Sequence, residues 1–452
     1  MQNLDSVRSD VIVIGAGGCG LMAALVAAKN GAQVLLLEKT EKAGGGTAFS
    51  SRGIRAAGSR CQRQAKIADS PELYAQDILR RNSNESDAAL TKHLTATSGR
   101  VADFLTDAAG VEFHLGEFPF GHSAQRSHSW KEDKTITDFL FEAVEREKNI
   151  QVRFSTAVLS LSQEANGAVT GIVTEDGGFT GRKVILASGG FGASPELLSQ
   201  YIPKAVDIPF PGHHGSTGDG IKMGLAAGAA TENMGAFQPY PAYIGPGKRA
   251  VSPEVALSGG IMVDLGGTRF VDETKYPGGL GIKMLDLPGK QAYEIFDERI
   301  YRLHVDIPGS RSLRSFVDAG LLKAGRNEEE LAEKLGIDAP GLRQTIQDYN
   351  RAAGGGKDAF GRTLAEPFSA PLYGIKVTVA LYHTQGGLKV NPDGQVLRPD
   401  GSIIPNLYAG GGVATGVSGK GLEGYLPGNG LLASLGLGMR AAEHAVESLK
   451  AA

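Results

Sequence analysis

The chain has 452 residues, 21% of them charged, a formal net charge of -3 and only two cysteines, Cys19 and Cys61. That length buries a large core and favours two lobes over one, the balanced charge gives no reason to expect nucleic acid or an anionic membrane surface, and two cysteines are too few for a disulfide framework. No apolar run reaches about 18 residues, and the polar start Met1–Asp10 has no signal-peptide core, so a cytoplasmic protein without a membrane span is expected.

In chain order, Val11–Ile14 is a short apolar run suited to a buried parallel strand. Gly15, Gly17 and Gly20, with Gly18 between them, fit G-x-G-x-x-G and open a helix whose small residues (Ala23, Ala24, Ala27, Ala28) let it lie close to a sheet. Val34–Leu37 is the second strand, and Glu38 at its end stands where an acid takes the ribose hydroxyls of a dinucleotide. The first N–H groups of the helix suit a pyrophosphate. Cys19, inside the motif, reads as a small buried residue. A second glycine cluster, Gly44–Gly46, follows, and then a helix with Ser70 as N-cap and Pro71 at its first position. From about Gly235 the composition turns Pro/Gly-rich and then helical. Asn327 caps one helix that Gly336 stops, and Leu342, Ile346 and Tyr349 share one stripe of the next. The 64 glycines are about double the usual share of roughly 7% and read as tight turns and close backbone–ligand approaches. No metal-ligand spacing is evident among the nine histidines.

Further segments follow in a fixed order: "VILASGGFGASPEL" at Val184–Leu197, "GSTGDGIKMGLAAGA" at Gly215–Ala229, "GGTRFVDE" at Gly266–Glu273 and "IPNLYAGGGVATG" at Ile404–Gly416. With the two glycine clusters, this set resembles the flavoproteins of the fumarate reductase/succinate dehydrogenase family, which includes the 3-ketosteroid dehydrogenases. The resemblance spans nearly the whole chain. It implies an α/β fold, a Rossmann-like FAD-binding domain with an inserted α+β capping (substrate) domain, divided as 1–238, 239–370 and 371–452. Carried over position by position, the FAD contacts fall on Gly15, Gly17, Gly18, Gly20, Glu38, Lys39, Gly45, Gly46, Thr47, Gly53, Val158, Ser188, Gly189, Asp219, Gly412, Leu431 and Leu432. Members that attach FAD covalently do so through a histidine just before the threonine of the second glycine cluster. Here that position is Gly46, so FAD is expected to be non-covalent. Gly412 stands where the family keeps an acid near the flavin. The helix after Gly430 is expected to turn its first amides toward the flavin pyrimidine carbonyl.

The resemblance also locates the substrate chemistry. The histidine of the family's H-T-x-G-G is kept as His383, while a second histidine position holds Tyr240, and the cap arginine that donates a proton falls at Tyr301, with Arg302 one place late. The last arginine of the pattern has no counterpart in "SGKGLEGYLPGNG", where Tyr425 stands instead. A pocket without those arginines cannot easily bury two carboxylates, whereas "YLPGNG" resembles the ketosteroid dehydrogenase turn in which a tyrosine hydroxyl and a glycine N–H hold a ketone oxygen. The expected reaction is therefore α,β-dehydrogenation of a (cyclic) ketone: Tyr425 and Gly430 stabilise the enolate, Tyr301 takes the α-proton with Arg302 or His383 lowering its pKa, and flavin accepts the β-hydride before passing electrons to an external acceptor. Tyr240 and Tyr382 are further candidates. Arg126 and His128, in a segment resembling one that lies over the flavin, either reach the substrate or pair on a loop. The alternative is a fumarate reductase-like enzyme of a carboxylate substrate, with Arg126, Arg302 and Lys420 as its cations. From another class, the chain reads as the flavin subunit of an electron-transfer complex.

Overall fold

The first apolar run forms β1 (Ser9–Ile14), buried along its length apart from Asp10, and the glycine turn after it opens α1 (Gly18–Lys29). The computed structural model describes residues 9–50, 53–116, 121–245, 249–275, 278–306, 312–363 and 366–451, so the polar start, 1–8, lies outside the described residues. β2 (Val34–Leu37), β3 (Ile54–Arg55), α2 (Pro71–Arg81), α3 (Ala88–Ala109), β4 (Ser127–Ser129), β5 (Ile150–Arg153) and β6 (Gly177–Leu186) follow, and near the C-terminus β7 (Ile403–Ala409) and α4 (Asn429–Lys450). The chain divides into two compact units: Met1–Val206, Gly212–Phe237 and His383–Ala452 make one, Asp207–Pro211 and Gln238–Tyr382 the other.

In the first unit, five parallel strands lie in the order β7–β6–β1–β2–β5. The nearly continuous Val/Ile/Leu text of β1, β2 and the Val184–Leu186 end of β6 is that of strands covered on both faces. α1 is buried from Gly18 to Ala28 and shares one apolar cluster with α3, α4 and the sheet. A helix apolar on all sides must be covered on all sides, and its alanines allow that close approach. At Gly20 a Cβ would run into the Gly15 carbonyl oxygen, so only glycine lets α1 start so near the strand end. Ser70 caps α2 by accepting from Leu73 N at 3.2 Å, with Pro71 in the first turn. A small antiparallel sheet pairs β3 with β4.

The second unit is built on an antiparallel sheet that includes the strands Gln291–Asp297 and Leu322–Gly325, which pair with Leu372–Thr378 and Leu372–Ile375 of one long strand. That strand, Leu372–Thr384, belongs to the second unit up to Tyr382 and to the first from His383. Asn327 caps the helix Glu328–Leu335 through Glu330 N, and Gly336 ends it at φ 70. Leu342, Ile346 and Tyr349 form the buried stripe of the helix Ala339–Ala352. The fold is thus α/β, a Rossmann-like domain with an α+β insertion. Among the described residues no helix is long and apolar enough to cross a membrane.

Candidate active site

All of the residues expected to hold FAD lie in the first unit, and the core of the set gathers where the parallel strands end: Gly15 after β1, Glu38 after β2, Ser188 and Gly189 after β6, Gly412 after β7. Ligands of doubly wound sheets bind along this carboxyl edge. Gly17 caps α1 without a side-chain bond, which leaves first-turn N–H groups for a phosphate, although Gly18 N also meets Thr47 Oγ1 at 3.3 Å. The second glycine cluster crosses directly over this start. Gly44 N donates to Ala16 O at 2.9 Å, and Gly44 pairs with Gly17 in an isolated bridge. A Cβ on Gly46 would meet nothing within 4 Å, so there is open space beside Thr47. Glu38 is buried, its Oε2 accepting from Ala16 N (2.8 Å) and its Oε1 from Thr40 N and Oγ1 (both 2.9 Å). Oε2 keeps a lone pair for a ribose hydroxyl. These features fit FAD.

The rest of the expected cofactor set is tied into the same region. Lys39 Nζ pairs with Asp219 at 2.6 Å and donates to Thr217 Oγ1 at 2.6 Å, and Ser188 Oγ accepts from Gly220 N at 3.1 Å. Gly45 has φ 53, Gly53 is buried, Val158 begins a strand opposite Thr174, and Leu431 and Leu432 lie in the first turn of α4. Gly412 explains its own departure from the family's acid: a Cβ there would stand 2.6 Å from Gly190 N. Two backbones touch there.

The structure brings together Tyr425, Gly430 and His383. A Cβ on Gly430 would lie 3.8 Å from His383 Cε1 and Nε2 and 3.9 Å from Tyr425 Oη, and the two rings meet edge to face at 5.2 Å. Burial pushes the Tyr425 phenol above its ordinary value, and the Gly428 N–H, the Arg55 charge and the Gly430 N–H oppose that without reversing it. Burial also holds the His383 imidazole below its ordinary value, against the nearby Thr384 carbonyl. Both groups are neutral at pH 7. His383 Nδ1 lies 3.3 Å from Thr384 O, which assigns the proton to Nδ1 and leaves a lone pair on Nε2, a buried atom with no partner among the described residues.

Arg55, on β3, was missed by sequence reasoning. Its stem packs on Gly428, its Nε is buried without a partner, and among the described residues no carboxylate lies within ion-pair distance of it. Burial lowers its pKa from the ordinary value, with Tyr74 and Tyr425 acting the other way. No motif marks it, because its importance comes from the turn it meets more than 370 residues later, a pairing only the fold creates.

Of the two alternatives for Arg126 and His128, the structure shows the paired one: both side chains are 0% exposed and bonded within the first unit. Arg126 is clamped by Asp69 (Nη2 to Oδ1 2.7 Å, Nε to Oδ2 2.9 Å) and by Asp77 (Nη1 to Oδ2 2.5 Å), over the face of Tyr74 at 4.6 Å. His128 uses both nitrogens, Nδ1 on Arg126 O at 2.8 Å and Nε2 on Ser59 Oγ at 2.6 Å. Lys420 is exposed, and its backbone N–H meets Glu85.

The other expected residues belong to the second unit. Tyr240 stacks on Tyr382 at 4.1 Å and 5°, and burial together with Tyr240 and Tyr243 pushes the Tyr382 phenol upward, away from a phenolate. Tyr301 stacks on Tyr373 at 4.3 Å. Arg302, expected to assist Tyr301, is instead 76% exposed in its side chain and pairs with Glu298 at 2.6 Å, while Arg314 lies within electrostatic range of Tyr301.

The FAD binding domain family matches residues 10–431. The chain is 30% identical over 421 residues to the NADH:fumarate oxidoreductase of Klebsiella pneumoniae (strain 342), which covers 91% of this chain but 45% of that protein, so it spans less than half that relative's length. It is 30% identical over 458 residues to the fumarate reductase (cytochrome) of Shewanella frigidimarina, covering 98% of this chain and 77% of that one. Among solved structures, the open conformation of a flavocytochrome c3 fumarate reductase superposes with a TM-score of 0.83 at 28% identity, over 98% of this chain and 79% of that one. The 3-ketosteroid-Δ4-(5α)-dehydrogenase of Rhodococcus jostii RHA1 superposes with a TM-score of 0.81 at 25% identity, over 98% of both chains. The chain is therefore an FAD-dependent oxidoreductase acting on carbon–carbon bonds, and it belongs to the FAD-binding flavoprotein family of the fumarate reductases and 3-ketosteroid dehydrogenases.

Proposed function

We propose that this enzyme desaturates a ketone, taking the α-proton and the β-hydride to leave an enone. FAD, held without a covalent link because Gly46 offers none, supplies the acceptor for the hydride, and an external acceptor then removes the electrons. The chain's own part is to bind and polarise the carbonyl. Tyr425 keeps its proton at neutral pH, as a donor to a ketone oxygen must. Gly430, with no side chain in the way, lets the oxygen approach the first amides of α4, whose positive end favours the charge that develops as the α-proton leaves. The observation that carries this reading is the convergence of two neutral groups, Tyr425 and His383, on Gly430. Neither brings a charge suited to a carboxylate.

The test is anaerobic bleaching of the flavin by a cyclic ketone. Tyr425→Phe is expected to keep the flavin spectrum and to slow bleaching by about 10²-fold, the usual effect of losing one donor to an oxyanion. Near-normal bleaching in Tyr425→Phe would sink the ketone reading.

A second reading rests on Arg55, a half-buried cation with no carboxylate beside it among the described residues, and on relatives named for reducing fumarate. Under it the substrate is an unsaturated carboxylate, and Arg55→Met slows turnover more than Tyr425→Phe does.

A further inference from the structure

We propose that Arg126 and His122 are positioning residues, which act together as a strut that fixes the turn carrying Tyr425 and Gly430. The strut begins at Asp69 and Asp77, whose carboxylates hold the Arg126 guanidinium from two sides. Arg126 Nη1 faces His122 Nδ1 at 3.3 Å, and His122 Nε2 lies 2.9 Å from the Pro427 carbonyl oxygen. Pro427 stands between Tyr425 and Gly430, so three side-chain links join a buried charge cluster to the middle of the substrate turn.

The chemistry of the links fixes their direction. A guanidinium only donates, so His122 Nδ1 must accept and carry no proton. The ring proton is then on Nε2, where it donates to Pro427 O. Without Arg126 the other tautomer becomes available, and it would set two lone pairs against each other at Pro427. Burial, with the Arg126 and Arg55 charges adding to it, pushes the His122 pKa down to about 4, so a second proton does not disturb the arrangement near neutrality. The turn has reason to need an outside hold. It contains Gly428 at φ 104, its Tyr425 carbonyl is met from outside by Arg81 Nε at 3.3 Å, and Asn429 N to Leu426 O (3.0 Å) closes its backbone from within. A donor to an oxyanion loses much of its effect when displaced by about 1 Å.

This inference rests on Tyr425 facing the substrate, and its experiment is arranged to fail separately from that reading. In FAD-loaded enzyme bleached by cyclohexanone, His122→Leu is expected to slow the rate about 10- to 100-fold with flavin content and spectrum unchanged. His122→Gln, whose amide still donates to Pro427 O, is expected to recover most of the loss. In a Tyr425→Phe background the same His122→Leu change is expected to cost clearly less than in the wild type, because one of the two groups it positions is gone. Equal losses in both backgrounds, or no recovery with glutamine, overturn the strut. Nitrogen-15 spectra of the wild-type holoenzyme are expected to show His122 protonated on Nε2 alone, and a proton on Nδ1 overturns it without any variant. The tautomer and the glutamine-against-leucine contrast do not depend on Tyr425, so a silent Tyr425→Phe sinks the ketone reading and leaves those two measurements to decide this one.

Discussion

At the end of β2, the Glu38 carboxylate already accepts three hydrogen bonds from Ala16 and Thr40, which holds it aimed with one oxygen able to accept more. Charge-assisted contacts of this kind are about twice as strong as neutral ones. Glu38→Ala is therefore expected to weaken FAD binding at least several-fold in a fluorescence titration of the apoprotein, and an unchanged affinity would move the ribose site elsewhere. Glu38 was legible in the sequence because its meaning is local, a fixed distance from a glycine turn. Arg126 was not. Its partners Asp69 and Asp77 lie 57 and 49 residues away, and nothing in the text around "AQRSHSW" says that the charge is spent inward and not on a substrate. Arg302 misled for the complementary reason, since it sits beside Tyr301 in sequence but points along its helix to Glu298.

At the scale of elements, what sequence reads well is what a single turn of chain decides. Ser70, Pro71, Asn327 and Gly336 each satisfy or end a helix within four residues, and each does so in the structure. Crossings of two loops are a different matter. The absence of an acid at position 412 looks in sequence like a missing flavin contact, but it follows from the segment after β7 running against the Gly189–Gly190 turn after β6. Gly412→Glu, which restores the family's residue, is accordingly expected to harm the protein. Opening that crossing costs on the order of 1–3 kcal/mol, as overpacking typically does, and should appear as a lower Tm and less retained flavin. A gain in FAD affinity at unchanged Tm would show that the crossing yields.

The molecule as a whole is poised between two opposed proton linkages. Burial holds His93, His122, His128, His213, His304 and His383 below the ordinary 6.5. Their folded values lie under their unfolded ones, so their contribution is complete above 6.5 and is lost as pH falls, down to about 4 for His122. Glu294 works the other way. Burial, with Glu273 adding to it, pushes its pKa up to about 8, so its contribution is complete below the ordinary 4.5 and drains as pH rises toward 8. The Tm of Glu294→Gln relative to wild type is expected to climb between pH 5 and pH 8, and a constant difference would mean that Glu294 is ionised in the fold. The strand order has a last consequence, for the way the protein is made. β6 needs β1 on one side and β7 on the other, yet β7 leaves the ribosome roughly 220 residues after β6, on the order of 10–40 s later at ordinary synthesis speeds. During that interval the apolar Val184–Leu186 edge of β6 waits open for Leu407–Ala409, and an unpaired strand edge of this kind can pair with a neighbour's.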